Sequence, residues 1–386
     1  MGAVITAWEI VFWSCVVLLA YAQVGYPLLL AALARLRRPH PPPPPAAAGA
    51  KPVAVSLIVA AYDEGAGIAA KVANALELDY PRELLEVIVA SDGSADGTVS
   101  EARRAGADVV LDLPRGGKIR AQDTAVAQAR GELLAFSDAN SSWEPDALRT
   151  LLAAFDDPSV GYACGQVRFV VDPAYPRASN QEGLYWRYEM ALRTLESRLG
   201  SITAGNGAIY ATRREAYIEV DPIMGHDLSF PFNMVKRGWR AVYVPDARAT
   251  EKMVPSIEGE FARKRRMMSH AWPIVLRGGL LSPRGYPPLY ALMIVSHRVL
   301  RYAAPFLHVV AFVASAALIG AGTPYAVAFA LQVALLVAAL LAGAIGLRPL
   351  LVARYYVLTT ASVAAGLWDH LRHGTPAGWE PADGTR

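Results

Sequence analysis

Apolar residues follow three regimes along the chain. Residues 6–34 are apolar almost without a break, interrupted by Glu9 and Gln23. That run is longer than the core of a cleaved leader and lacks a basic start, so it predicts a retained transmembrane helix. From residue 52 to about 255, short apolar runs alternate with helical periods. Strands are predicted at 53–60, 85–90, 109–111 and 133–136. Helices are predicted at 68–78, 97–105, 119–129, 145–154 and 228–237. The continuous apolar run 53–60 suits a sheet covered on both faces. Such alternation predicts a parallel α/β sheet with ligands at the carboxyl ends of its strands. Beyond about residue 256 the pattern changes again. Residues 258–276 mix bases with Phe261, Met267, Met268, Trp272 and Ile274, as in an amphipathic helix on a membrane surface; 286–300 reads the same way. Residues 301–320 and 325–346 are each long enough to span, with Gly322-Thr323-Pro324 turning between them. Residues 352–368 form a marginal third segment, spanning or interfacial.

Composition supports this mixed layout. The 386 residues are 54% hydrophobic, with mean hydropathy +0.26. That is too apolar for a purely soluble chain and too charged in the middle for a pure membrane bundle. Net charge is only +3, but bases cluster at 35–38 and 263–266. Arg35, Arg37 and Arg38 directly after the first apolar run place that end in the cytoplasm by the positive-inside rule, with residue 1 outside. Pro41–Pro45 then form a stiff spacer. Cys15 and Cys164 make no disulfide framework, and no Cys/His spacing resembles a zinc site. The bases stand beside membrane segments and no stacking platform for single strands is evident, which argues against nucleic acid.

The candidate chemistry lies in the middle region. Asp138-Ala139-Asn140 follows the apolar run 133–136. A strand ending in two oxygen-bearing side chains suits a hard divalent cation shared with a substrate phosphate, although Asp-x-Asn also begins ordinary turns. Tyr62-Asp63-Glu64 ends the first strand, and an aromatic ring beside a carboxylate suits a nucleobase. Asp92, in Ser91-Asp92-Gly93-Ser94-Ala95-Asp96, could accept the imide N–H of a uracil; Asp96 could equally cap the next helix. Gly116-Gly117-Lys118 precedes a helix, where glycines allow close backbone approach and Lys118 adds a charge for a phosphate. It is not a Gly-x-x-x-x-Gly-Lys-Ser/Thr loop. His226-Asp227 precedes a helix; Asp227 could be a general base, the helix N-cap, or both.

Taken in order, these motifs and Gly205-Asn206-Gly207-Ala208-Ile209-Tyr210 resemble family 2 glycosyltransferases of GT-A fold, over about residues 52–275. The membrane layout is similar to the cellulose, chitin and hyaluronan synthase branch. The resemblance implies a transmembrane helix (1–38), a Pro-rich linker (39–51), a cytoplasmic GT-A catalytic domain (52–255) and amphipathic interfacial helices (256–300). Two transmembrane helices (301–346) and a third membrane or interfacial segment with a cytoplasmic tail (347–386) complete it. It further implies that Tyr62, Glu64, Asp92 and Lys118 bind the nucleotide, and that Asp138 and Asn140 hold Mg²⁺ or Mn²⁺. The segment 205–210, with Asn206, would shape the donor-sugar side, and Asp227 would be the catalytic base. Arg263 and Arg266 would bind diphosphate where synthases carry Gln-x-x-Arg-Trp, with Arg266 matching that arginine. Three departures stand out: Asn140 for a carboxylate, His226 for an acid, and Arg263 and Met267 for Gln and Trp. The lost tryptophan removes a sugar platform.

The expected activity is inverting transfer from a UDP-sugar to a lipid-linked or polysaccharide acceptor at the cytoplasmic face of the cell membrane, with lipid as a partner. A processive synthase and a degenerate nucleotide-sugar-binding assembly subunit are the alternatives.

Overall fold

A computed structural model describes residues 2–36, 52–170, 179–252, 256–345 and 347–378. The Pro-rich linker, Arg37, Arg38 and the end of the tail lie outside the described residues. Helix α1 (Gly2–Ala20) continues through a π-helical turn (Tyr21–Gly25) into α2 (Tyr26–Leu36). The middle region follows as β1 (Val55–Ala61), α3 (Ile68–Leu76), β2 (Leu85–Asp92), α4 (Thr98–Arg104), β3 (Val109–Leu113), α5 (Lys118–Gln128), β4 (Leu133–Asp138), β5 (Ser142–Trp143), α6 (Ala147–Leu152), β6 (Val160–Val170), α7 (Ser179–Leu199), β7 (Tyr210–Arg213), α8 (His226–Lys236) and β8 (Arg240–Lys252). Then come α9 (Ile257–Leu276), α10 (Pro288–Met293), α11 (Leu300–Ala317), α12 (Thr323–Ile345) and α13 (Arg348–His373).

The eight strands form one sheet in the order β3-β2-β1-β4-β7-β6-β8-β5. The expected α/β class holds, and β1, β2, β3 and β4 pair in parallel as predicted. The other half is mixed: β6 and β8 pair in parallel, but β7 is antiparallel to both β4 and β6, and β5 is antiparallel to β8. Successive side chains of a strand face opposite sides. Val55 and Leu57 thus pack with Leu148 and Leu151 of α6 on one face, while Ile58 joins Ala121 and Ala125 of α5 on the other. Burial on both faces explains why β1 reads as an unbroken apolar run.

Parallel register aligns the strand tips. Ala60 stands opposite both Ala90 and Asp138, and Asp92 opposite Leu113. Tyr62, Asp92 and Asp138 therefore leave the sheet at one edge. A third core ties this domain to the long helices: Tyr26 and Leu30 of α2 pack with Leu192, Phe232, Trp272, Met293 and Val363. Buried Glu196 on α7 strengthens the junction by accepting from Tyr26 Oη at 2.7 Å and Thr203 N at 3.0 Å.

Among the described residues four helical segments are long and apolar enough to cross a membrane: Val4–Leu36, Pro288–Ala317, Thr323–Ile345 and Arg348–His373. Two expectations change here. The residues read as an interfacial helix at 286–300 and a span at 301–320 form one helix, Pro288–Ala317, continuous through a π turn at Ile294–Val299. The marginal segment at 352–368 lies inside a 26-residue helix of spanning length.

Candidate active site

A cavity of about 1510 Å³ opens at the strand tips and runs between the long helices. Its inner end is lined by Lys118, Asp138, Gly207, Asp227 and Glu251. Its outer part is lined by Tyr302, Val352, Tyr355 and Val363. Common ligand pockets occupy roughly 300–1,000 Å³, so this one exceeds what a single nucleotide sugar needs.

Asp138 ends β4 and accepts a hydrogen bond from Lys118 Nζ. Lys118 opens α5 after Gly117, whose φ of +96° suits a residue without a Cβ. The loop 205–209 closes over this pair: a Cβ at Gly207 would stand 3.1 Å from Lys118 Nζ and 3.5 Å from Asp138 Oδ2. Asn206 shapes this loop rather than reaching outward. Its Nδ2 donates to Gly165 O at 2.7 Å, and its Oδ1 accepts from Ala208 N and Ile209 N at 3.1 and 2.9 Å. Asn206 also lines the cavity, so these backbone bonds fix its position at the pocket wall.

Asp227 lies in the first turn of α8. The N-cap is Gly225 and the helix begins at His226, so the cap reading of Asp227 is corrected: it stands two residues past the cap. Asp227 O accepts from Gly205 N at 2.7 Å, which ties the helix start to the loop beside Asp138. Burial raises the Asp227 pKa above the ordinary carboxylate value, with Lys118 opposing that rise. His226 is buried in an aromatic cluster, stacked on Phe230 at 3.9 Å between ring centroids, with Nδ1 2.8 Å from Tyr210 Oη. Burial, reinforced by Lys118, pushes its pKa well below the usual histidine value. The position that resembles an acid in the family thus holds a neutral ring.

Asn140 sits in the turn that follows β4. It is exposed, and it is not among the cavity-lining residues. Glu251, which sequence reasoning missed, lines the cavity with Asp138. Strand β5 pairs Ser142 with Thr250 of β8, and this pairing carries the next residue to Asp138. Glu251 Oε1 is buried without a hydrogen-bond partner among the described residues. Burial and the Asp138 charge raise the Glu251 pKa to about 7. Lys71 braces the turn from below by donating to Ser141 O at 2.7 Å; burial lowers its pKa to about 7.

These features test the fit of a divalent cation. Among the described residues no group of three or more His, Cys, Asp or Glu forms a ready cage. Mg²⁺-type sites commonly use one or two carboxylates and take the remaining oxygens from substrate phosphates and water. Asp138 and Glu251, two mutually repelling carboxylates with an unpartnered buried oxygen, fit that donor set.

The expected nucleotide residues are partly brought together. Asp92 is buried at the tip of β2 and accepts from Gly116 N at 2.6 Å, Gly117 N at 3.0 Å and Arg115 Nη1 at 2.7 Å. The Gly116 and Gly117 amides therefore grip Asp92, so their expected approach to a phosphate is corrected. Glu64 N–H donates to Thr98 Oγ1 at 2.8 Å, and Asp96 Oδ1 accepts from Thr98 N at 2.9 Å; the N-cap of α4 is Gly97, so Asp96 stands one residue before the expected cap. In α9 the cavity is lined by Arg263, Lys264, Met267 and His270. Arg263 forks onto Glu260 at 2.7 and 2.8 Å. Arg266 is not among the lining residues. Arg266 stands one helical turn after Arg263 and one before His270, beside the face that Arg263 and Lys264 present to the cavity.

Comparison with known proteins agrees with this architecture. A chain segment of 223 residues is 29% identical to an N-acetylglucosaminyltransferase of Rhizobium meliloti (strain 1021), covering 50% of each protein. A glycosyltransferase, AglE, of Haloferax volcanii is 28% identical over 120 residues, 30% of this chain and 40% of that one. The chain thus spans about half the length, or less, of these curated relatives. Among solved structures, a mannosyltransferase from Pyrobaculum calidifontis in complex with GDP-Man and Mn²⁺ superposes with a TM-score of 0.70 at 25% identity, covering 94% of this chain and 99% of that one. The α/β domain has the GT-A fold. The family described as glycosyltransferase-like family 2 matches residues 52–269, more than half of the chain, and the chain belongs to that family.

Proposed function

We propose that the protein is an inverting glycosyltransferase that moves a sugar from a nucleoside-diphosphate sugar, UDP-linked in our reading, to a lipid-linked or glycan acceptor at the cytoplasmic face of a membrane. One observation carries this reading: Asp138, Lys118, Glu251 and Asp227 share one end of a cavity whose other end lies between helices of membrane-spanning length. The glycosyltransferase activity of the relatives and the GDP-Man and Mn²⁺ of the structural neighbour support it.

In the proposed reaction an acceptor hydroxyl attacks the anomeric carbon. The new C–O bond forms as the bond to the diphosphate breaks, and a single displacement inverts the anomeric configuration. Asp227 accepts the hydroxyl proton; its raised pKa brings it nearer the working range of a general base. Lys118, Arg263 and Lys264 offset charge on the departing diphosphate, and such preorganised charge is commonly the largest catalytic contribution. Asp138 and Glu251 would hold a divalent cation, which supplies further charge stabilisation at the leaving group. An acceptor with an apolar tail suits the Tyr302, Val352 and Val363 end of the cavity. That favours single addition to a lipid-linked acceptor over processive synthesis.

The test is nucleoside-diphosphate release from the purified protein with a donor panel, followed by mass spectrometry of the product. Release dependent on a lipid-linked acceptor supports the proposal. Absence of transfer with every donor and acceptor would favour the degenerate assembly subunit.

A further inference from the structure

Tyr62 and Asp92 are the residues expected to meet a nucleobase, and a third residue stands between them. The Arg115 guanidinium lies 3.3 Å from the Tyr62 ring centroid, face on at stacking distance. Its Nη1 also donates to Asp92 Oδ2 at 2.7 Å. The Arg115 side chain is 32% exposed and that of Asp92 only 4%. Arg115 can therefore swing, while Asp92 stays held by the Gly116 and Gly117 amides. A base sliding over Tyr62 would take the place of the guanidinium, which stacks on base faces as readily as on aromatic rings.

The chain after α13 also lies against Arg115. A Cβ at Gly378 would stand 3.5 Å from Arg115 Nη2. A Cβ at Gly117 would stand 2.1 Å from Ala377 O, so glycine there permits the approach of this segment. The segment is pinned to α9: Thr375 Oγ1 donates to Ser269 O at 2.8 Å, and His370 Nδ1 stands 2.8 Å from Thr375 Oγ1. Ala377 lines the same cavity as Lys118 and Asp138.

We propose that Arg115 is the second face of a nucleobase site whose first face is Tyr62, and that residues 374–378 are the outer wall that holds Arg115 over the base. This rests on the nucleotide-sugar reading of the cleft. Base entry opens the Tyr62–Arg115 stack to roughly twice its present separation, a sandwich. The displaced Arg115 then bears on Gly378, so that binding the base presses on a segment anchored to the helix that carries Arg263 and Lys264.

The experiment is calorimetric titration of the full chain with Mn²⁺ present. The ligands are the tighter-binding of UDP and GDP, and inorganic pyrophosphate, which has no base. Arg115→Ala is expected to raise the nucleotide Kd about tenfold, the lower range of one base–side-chain stack, and to leave pyrophosphate unchanged. Arg115→Lys recovers little, since a point charge lacks the planar face. A chain ending after His373 weakens the nucleotide severalfold, and adding Arg115→Ala to it costs less than in the full chain. Wild-type nucleotide affinity in Arg115→Ala, or equal loss for both ligands, overturns the stacking role. Unchanged nucleotide affinity in the shortened chain overturns the wall. A wild-type protein that binds neither nucleotide overturns the reading of the cleft itself, which separates that failure from the failure of this inference.

Discussion

Asp227→Asn isolates the proposed proton transfer from the binding machinery. The substitution keeps side-chain shape, and it leaves the bond from Gly205 N to Asp227 O in place because that bond is made by backbone. It removes a carboxylate whose burial already disfavours its charge, so the fold loses little. What is lost is the ability to take a proton from an acceptor hydroxyl. General-base catalysis contributes about 10²–10⁴-fold, and a thousandfold loss corresponds to about 4 kcal/mol of barrier. The nucleotide contacts proposed for Tyr62, Asp92 and Lys118 are untouched. The variant should therefore transfer sugar about a thousandfold more slowly while binding UDP within about twofold of wild type. Steady-state release of UDP, paired with calorimetric UDP titration, reads both quantities. Transfer within a factor of about ten of wild type would refute the assignment of the base. So would a loss of UDP affinity that matches the loss of rate.

Glu251→Gln keeps the volume and removes one proposed cation donor, so the Mn²⁺ concentration for half-maximal activity should rise at least about tenfold; an unchanged Mn²⁺ titration would remove Glu251 from the site. The pH profile of kcat should lose activity as pH falls through the Asp227 pKa, which burial places above the ordinary value; a limb at or below that value would contradict the buried-base account. Glu196 has a folded pKa lowered to about 2 against burial, by the nearby His297 and Arg298. Its stabilisation is full above the unfolded value of about 4.5 and is lost as pH falls towards 2, so thermal midpoints in detergent should drop over that window in wild type and less in Glu196→Gln. Leu57→Ala empties a fully buried position between β1 and α6 and should cost about 2–5 kcal/mol in denaturant titration.

The half of the domain that was legible in sequence is the half whose strands bury both faces. Runs such as Val87-Ile88-Val89-Ala90 leave no polar alternation, and each ends on a polar residue at the sheet edge. The tips Tyr62, Asp92 and Asp138 were therefore readable, as was Asp227 beside the start of α8. Strands β6, β7 and β8 were not. Strand β6 carries Gly161 and Gly165, where the backbone passes close to Trp239 and to Ala247 O, and β8 mixes Arg248, Thr250 and Glu251 with its apolar residues. Their pairing depends on long-range contacts that no local period records. Glu251 was invisible for this reason: it reaches Asp138 only because β5 docks on β8. Arg115 carried no motif, and its position beside Tyr62 and Asp92 depends on tertiary contacts.

The account's central claim is that Asp138, Glu251 and Asp227 address one bound diphosphate sugar. An experimental structure of the protein with Mn²⁺ and UDP tests it most directly. The account predicts the ion on the Asp138 and Glu251 carboxylates, the diphosphate between it and Lys118, and Asp227 facing the open side of that group. An ion bound away from Asp138, or a diphosphate with Asp227 directed out of its cleft, would contradict it.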